Sequence, residues 1–411
     1  MSNGNGVVIV GAGHGGVQLA ASLREEGFAE KIILLGDEKD IPYQRPPLSK
    51  AYMKRETPED GVLLRGPDFY AQKSIDLRLG ERAVAIEAAG RVLQLASGAR
   101  IPYDKLVLAT GGLQRRLPIE GADLDGVFSL RTIAEARLLR EWLESAQDVV
   151  IIGAGFIGLE FAAVAAAKGR NVQVIELAAR PMARVVTPQT SAFFADAHKG
   201  FGVHLNFGTS AAAIRGEGGR VRQVVLTDGR VLPADLVLIG IGLAPSVELA
   251  KSIGLECPNG VVVDHKLATG DPHIHAIGDI ALHLNLYGGH AVRLESVQNA
   301  TDQARTVAKH IAGKPAQYDA VPWFWSDQGD LKLQMVGFLD ACDEIVLRGS
   351  YEERAFSLFG FRQGHLMGVE SVNKGGDHML ARRLIGEKIS VSPHLIADPT
   401  ADLKALLKPR R

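Results

Sequence analysis

The stretch VVIVGAGHGGVQLAA, residues 7–21, and a second one, VVIIGAGFIGLEFAA, residues 149–163, decide how the rest of the chain is read. Aligned without a gap, nine of their fifteen positions are identical. Each opens with four β-branched residues suited to a strand buried on both faces. Each then runs through Gly-x-Gly-x-x-Gly into a segment with helical character.

A glycine pattern alone is a weak signal. Between a strand and a helix it becomes a Rossmann fingerprint, because each glycine then has a task. Gly11 and Gly153 close the tight turn, Gly13 and Gly155 let the backbone approach a pyrophosphate, and Gly16 and Gly158 let the helix lie against the strand. The helix N-terminus offers free N–H groups and a positive dipole end to phosphate. His14, between glycines, reads as an ordinary loop residue. In both copies a second strand ends in an acid: KIILLGD reaches Asp37 and NVQVIE reaches Glu176. A carboxylate there accepts hydrogen bonds from ribose hydroxyls and repels a 2′-phosphate, so Glu176 favours NADH over NADPH. Arg180, four residues on, leaves a pairing with that phosphate open.

Two dinucleotide units imply two dinucleotides. Two further strands run into glycine turns, YDKLVLATGG at 103–112 and DPHIHAIGDIA at 271–281, and a single NAD fold explains neither. A chain of 411 residues has room for two or three domains. Its 46 basic and 47 acidic residues nearly cancel, which argues against nucleic acid or an anionic membrane as partner and leaves recognition to local patches. Cys257 and Cys342 fit neither a disulfide framework nor a zinc site. His273 and His275 are spaced as His-x-His but lack the ligands to complete a set, so no metal is expected. MSNGNG is not a secretory leader, and FIGLEFAAVAAA is too short to span a bilayer and carries Glu160, so a soluble, cytoplasmic protein is expected.

The order of Gly-x-Gly-x-x-Gly, ATGG, a second Gly-x-Gly-x-x-Gly, GIGLAPS and AIGDIA resembles the two-dinucleotide flavoproteins that include glutathione reductase. Within that superfamily RPPLSKAYM (45–53), IGLE (157–160), RLESVQNA (293–300) and PWFWSDQ (322–328) resemble the NADH-dependent ferredoxin reductases of the putidaredoxin reductase type. The resemblance covers nearly the whole chain and weakens after about residue 375. It implies an α/β fold with two Rossmann-like domains. The FAD domain would comprise 1–113 and 246–319, the NAD domain 114–245, and an α+β domain with an antiparallel sheet 320–411. Turn-rich RRLPIEGADLDG and GIGLAPS suit the crossings, and period-two alternation in LKLQMVGFL and RAFSLFGFRQGHLMGVESV suits the sheet. MLARRLIGEK reads as a helix and the basic KPRR tail as a solvated terminus.

The resemblance also assigns site residues. FAD would engage Gly11, Gly13, Gly15, Gly16, Asp37, Ala83 on the strand RAVAI, Thr110, Gly111, Arg131, Asp279 and Val297. For Arg131 the alternative is a surface residue beside a linker, and for Ser296 a plain helix cap. NADH would engage Gly153, Gly155, Ile157, Gly158, Glu176, Arg184 and Gly242. Lys50 would approach the flavin's reactive nitrogen and pair with Glu160, though an ordinary salt bridge would need the same two residues. Trp325 would lie where a redox partner docks, with a core anchor as the alternative.

The activity so implied moves a hydride from NADH to FAD and single electrons on to a two-iron ferredoxin. That ferredoxin would feed a haem monooxygenase or a ring-hydroxylating dioxygenase and would dock on a basic patch including Arg65 and Arg305 near Trp325. A rubredoxin or monodehydroascorbate-type reductase, an NADH oxidase, or a redox-sensing flavoprotein of the apoptosis-inducing type are the alternatives. The absent cysteine pair argues against oxidases that need a thiol.

Overall fold

Val7–Val10 is the middle strand of a five-stranded parallel sheet ordered Ile274–Ala276, Lys105–Leu108, Val7–Val10, Ile32–Gly36, Ile75–Leu79. The apolar runs that suggested fully buried strands are buried along almost their whole length. The computed structural model describes residues 4–407, so the KPRR tail lies outside the described residues.

The chain divides into two compact units. The first contains the described residues up to Gln44, then Glu59–Leu113 and Ala244–Phe324. Around its parallel sheet it carries a small antiparallel sheet of Ala83–Glu87, Val92–Leu95 and Arg100–Pro102. Helices His14–Glu25 and Val297–Ile311 pack on each other. The strand Ile274–Ala276 aligns with Lys105–Leu108, so a distant piece of chain completes the sheet that the first glycine-rich turn begins.

The second unit contains Arg45–Pro58, Gln114–Leu243 and the described residues from Trp325 on. Its parallel sheet is ordered Val203–Phe207, Asn171–Glu176, Asp148–Ile152, Leu236–Ile239, Val127–Phe128. An antiparallel sheet of Ala211–Glu217, Arg220–Leu226 and Val231–Pro233 lies beside it in sequence. The 3-10 turn Pro46–Ser49 packs on helices Ile133–Ser145 and Phe156–Ala167, which is why Arg45–Pro58 belongs to this unit.

The C-terminal sheet is five-stranded, ordered Trp323–Gln328, Leu331–Gly337, His365–Val372, Ala355–Arg362, Glu344–Ser350. Its pairings from Leu331–Gly337 onward are antiparallel. Glu344–Ser350 was not legible from alternation, because the strand is an edge with only partly buried or exposed residues. The expected helix is Gly375–Gly386, which starts four residues before the apolar pattern does. Among the described residues no helix is long and apolar enough to cross a membrane.

Three buried histidines tie stability to pH. His275 has no hydrogen-bond partner on either ring nitrogen among the described residues, and burial, helped by the charge of Lys105, pushes its pKa down to about 3. Burial takes His283 and His378 down to about 4, and Arg382 adds to the shift on His378. All three are therefore neutral in the folded protein, whereas in the unfolded chain they titrate near 6.5. Their contribution is fully present above about pH 6.5 and is lost as the pH falls towards the folded values, since the unfolded state then binds the extra protons. Melting temperature is expected to fall steadily between about pH 6.5 and 4. His275→Phe should flatten that slope in a pH series of thermal melts, and an unchanged slope would contradict the assignment.

Candidate functional site

The two glycine turns are built alike, and each glycine has a geometric reason. Gly11 and Gly153 have φ of +113° and +107°, the left-handed side that L side chains rarely adopt. A Cβ on Gly16 would stand 1.9 Å from the carbonyl oxygen of Gly11, and one on Gly158 would stand 2.2 Å from that of Gly153. At Gly13 and Gly155 a Cβ would meet no protein atom within 4 Å, so the loop face there is open to a ligand.

Helices His14–Glu25 and Phe156–Ala167 begin at these glycines with no side-chain cap among the described residues. Thr132, Thr187, Ser296 and Ser392 cap four other helices. Uncapped N–H groups beside open space suit a pyrophosphate at each turn. His14 is the first residue of its helix instead of a loop residue, and Gly15 follows it on a buried face.

The acids differ between the copies. Val10 pairs with Leu35 and Ile152 with Ile175, while the amides of Gly11 and Gly153 donate to Leu35 and Ile175 at 2.8 Å each. By that register Gly36 occupies the place of Glu176, and Asp37 comes one residue later. A Cβ on Gly36 would lie 3.0 Å from the Cβ of Ala12, so a side chain there would crowd the first glycine turn. Asp37 is exposed, and its neighbour Glu38 accepts a hydrogen bond from the Tyr43 hydroxyl. In the second copy the Glu176 carboxylate accepts from the amides of Ala154 and Ala178, each at 2.8 Å. These bonds fix it beside the glycine loop.

The remaining first-unit residues lie on turns. Thr110 Oγ1 donates to the Ser246 carbonyl at 2.7 Å, and the Ser246 amide donates to Gly111 O at 2.9 Å, which joins the two chain crossings. Asp279 sits in the 3-10 turn Gly278–Ile280, where Gln303 Oε1 accepts from the Gly278 amide at 2.7 Å. Ser296 does cap the helix beginning at Val297. Ala83 opens its strand next to a register shift. Arg65 lies over the Phe69 ring and has no carboxylate partner among the described residues, whereas Arg305 pairs with Asp302 at 2.7 Å.

In the second unit, the Arg184 guanidinium lies 3.5 Å from where a Cβ on Gly242 would stand, so two residues assigned to NADH meet. Ile157 is exposed on the first turn of its helix. Arg180 donates to the carbonyls of Val186 at 3.1 Å and Ala183 at 2.8 Å, which commits its guanidinium to its own loop. Arg131 precedes the Thr132–Glu135 capping box, its amide donating to Glu135 and its carbonyl accepting from Arg45.

Lys50, Glu160 and Trp325 come together. Lys50 Nζ is 3.1 Å from Glu160 Oε1 and 5.9 Å from the Trp325 ring centroid. The Glu160 side chain is only 5% exposed and that of Lys50 15%. Burial pushes the Glu160 carboxyl above the usual range, while Lys50, Ser326 and Ser49 pull it back. Neither serine was singled out from sequence, because their role depends on a carboxylate more than a hundred residues distant in the chain. Glu370 was also missed. It accepts from the Thr187 amide at 2.8 Å and hydroxyl at 2.7 Å and anchors the loop that carries Arg184.

His273 bonds the Asp104 carbonyl, and among the described residues no His, Cys, Asp or Glu cluster of three or more could hold a metal.

Residues 5–304 match the family described as pyridine nucleotide-disulphide oxidoreductase, and residues 323–407 match the one described as reductase C-terminal. Rhodocoxin reductase of Rhodococcus erythropolis is 44% identical over 398 residues, covering 97% of this chain and 93% of that protein. A crystal structure of a ferredoxin reductase from Rhodopseudomonas palustris matches with a TM-score of 0.95 at 50% identity, over 98% of this chain and 99% of the other. The covalent putidaredoxin reductase–putidaredoxin complex matches with a TM-score of 0.95 at 38% identity, over 98% of each chain.

The glycine geometry separates two kinds of variant. Gly13→Val adds a side chain into open space and should block dinucleotide binding while shifting apoprotein stability by no more than about 0.5 kcal/mol. Gly16→Val drives its Cβ into a backbone carbonyl and should destabilise the fold by about 1–3 kcal/mol or more. Bound FAD per chain and thermal melts of the apoproteins distinguish the two, and equal melting losses would contradict the separation.

Proposed function

The chain belongs to the pyridine nucleotide-disulphide oxidoreductase family, and on that premise we propose that it is an NADH-dependent ferredoxin reductase holding one FAD. The observation that carries this is the pair of uncapped glycine-turn helices in a chain whose two cysteines, Cys257 and Cys342, are both free. FAD, when bound, supplies a centre that takes two electrons from NADH and gives them up one at a time. Without a cysteine pair to receive them, the outlet is a partner protein. Relatives named ferredoxin reductase and a putidaredoxin complex support a two-iron ferredoxin in that role.

The chain's own task is to bind, orient and stabilise charge. Gly11, Gly13 and the start of helix His14–Glu25 are assigned to the FAD pyrophosphate, with Gly15 and Gly16 packing that helix. Asp37 is assigned to the adenosine ribose, Ala83 to the adenine, Thr110, Gly111 and Arg131 to the phosphate region, and Asp279 to the ribityl chain. Val297, at a helix start, is assigned to the flavin ring. Gly153, Gly155, Ile157 and Gly158 are assigned to NADH, together with Glu176, Arg184 and Gly242. Lys50, paired with Glu160, supplies positive charge for the electron density that the flavin gains. Trp325 is assigned to the electron outlet.

The preference for NADH rests on Glu176, oriented by two backbone amides, and on Arg180, whose guanidinium is already bonded to two carbonyls. A 2′-phosphate would meet the carboxylate without a free guanidinium from Arg180. For the ferredoxin, Arg65 is the stronger docking candidate, since Arg305 already has a carboxylate partner.

Stopped-flow reduction of the FAD-loaded protein should be at least about tenfold faster per unit concentration with NADH than with NADPH, since about 1.4 kcal/mol of discrimination suffices. Equal rates would remove the nucleotide assignment. Lys50→Met should slow reduction by NADH while FAD stays bound. Replacing Arg65 and Arg305 with Glu should raise the ferredoxin KM and weaken its salt dependence while NADH-to-ferricyanide turnover persists. Unchanged ferredoxin kinetics would remove the patch.

A further inference from the structure

Behind the Lys50–Glu160 pair, the second unit contains a line of buried polar side chains with no part in the chemistry above. Ser326, Gln328 and His198 are fully buried. Ser326 and Gln328 are two residues apart on one strand and so share a face. Ser326 Oγ is 2.6 Å from Glu160 Oε1, Gln328 Nε2 is 3.2 Å from Ser326 Oγ, and His198 Nε2 is 2.8 Å from Gln328 Oε1. On the other carboxylate oxygen, Ser49 Oγ is 2.5 Å from Glu160 Oε2.

Donor and acceptor chemistry gives this line a direction. The carbonyl oxygen of Gln328 only accepts, so His198 donates from Nε2. The amide nitrogen of Gln328 only donates, so Ser326 Oγ accepts from it and its own proton is left for Glu160. An ionised carboxylate only accepts, and both of its oxygens are met by hydroxyl donors. Every bond in the line therefore points towards negative charge on Glu160, and bonds aligned in this way strengthen one another.

We propose that Ser326, backed by Gln328 and His198, and Ser49 are positioning residues that hold Glu160 as a carboxylate and so hold Lys50 as the ammonium that assists flavin reduction. The proposal rests on the reading of Lys50 given above. The groups facing the carboxyl are Ser49 and Lys50 from the segment at 46–50 and Ser326 from the strand Trp323–Gln328. Among the described residues, Lys50 is the charged group whose field acts on it. Burial opposes ionisation and the serine hydroxyls favour it, so removing a hydroxyl moves the protonation midpoint to higher pH.

The test uses FAD-loaded protein and follows the carboxylic-acid carbonyl band of Glu160 by infrared pH titration, with the band identified by its loss in Glu160→Gln. Ser326→Ala should raise the midpoint by about one pH unit, roughly the effect of losing one hydrogen bond to a charged group. The acid limb of the NADH-dependent flavin-reduction rate should move in the same direction. Ser326→Thr, which keeps the hydroxyl, should restore both. Gln328→Met, one link further from the carboxylate, should give a smaller shift of the same sign and serves if Ser326→Ala does not fold. A midpoint that stays at the wild-type value in these variants overturns the proposal. If the midpoint shifts but Lys50→Met reduces flavin at the wild-type rate, the reading of Lys50 fails, although the hold on Glu160 stands.

Discussion

Both dinucleotide units depend on how closely a helix approaches the turn that precedes it. Where Gly16 and Gly158 stand, the carbonyl of the turn lies so near that a Cβ would come within about 2 Å of it. That approach brings the helix N-terminus to the end of the parallel strands, where no side chain among the described residues caps it. The strands Ile32–Gly36 and Asn171–Glu176 are then bonded to the same turns through the amides of Gly11 and Gly153. A missing side chain thus sets strand, turn and helix in one arrangement, which the chain uses twice.

Glu160 lies two residues beyond the last glycine of the second turn, on a helix that is otherwise almost entirely apolar. A carboxylate there would be costly if left alone, and removing one partner from a buried ion pair typically costs about 3–5 kcal/mol. Lys50, Ser49 and Ser326 together meet it. The same contacts explain why the turn Pro46–Ser49 belongs to the second unit, although the residues up to Gln44 belong to the first. Glu370 follows a similar rule: it is buried, and the amide and hydroxyl of Thr187 satisfy it.

Much of the fold was legible in the sequence because its signals are local. Four β-branched residues before a glycine pattern define a strand and its turn without reference to the rest of the chain. The alternation in Leu331–Gly337 works in the same way, whereas Ala355–Arg362 is a strand buried on both faces. The edge strand Glu344–Ser350 escaped notice because little of it is buried, so no face was selected to be apolar. The acid of the first unit was legible as a residue type, but its displacement by one position relative to Glu176 emerged only from the strand register.

By itself, the sequence determined that there are two glycine-turn units, that an acid follows each, and that no paired cysteines are available. These properties depend on residue type and short spacing, which folding does not alter. Only the tertiary structure decided which distant side chains meet: Ser49 and Ser326 on Glu160, Arg180 on its own loop, and Gln328 between Ser326 and His198. The physical reason is that a buried polar group takes its partners from whatever packing brings within about 3 Å, and that distance is not written in sequence separation.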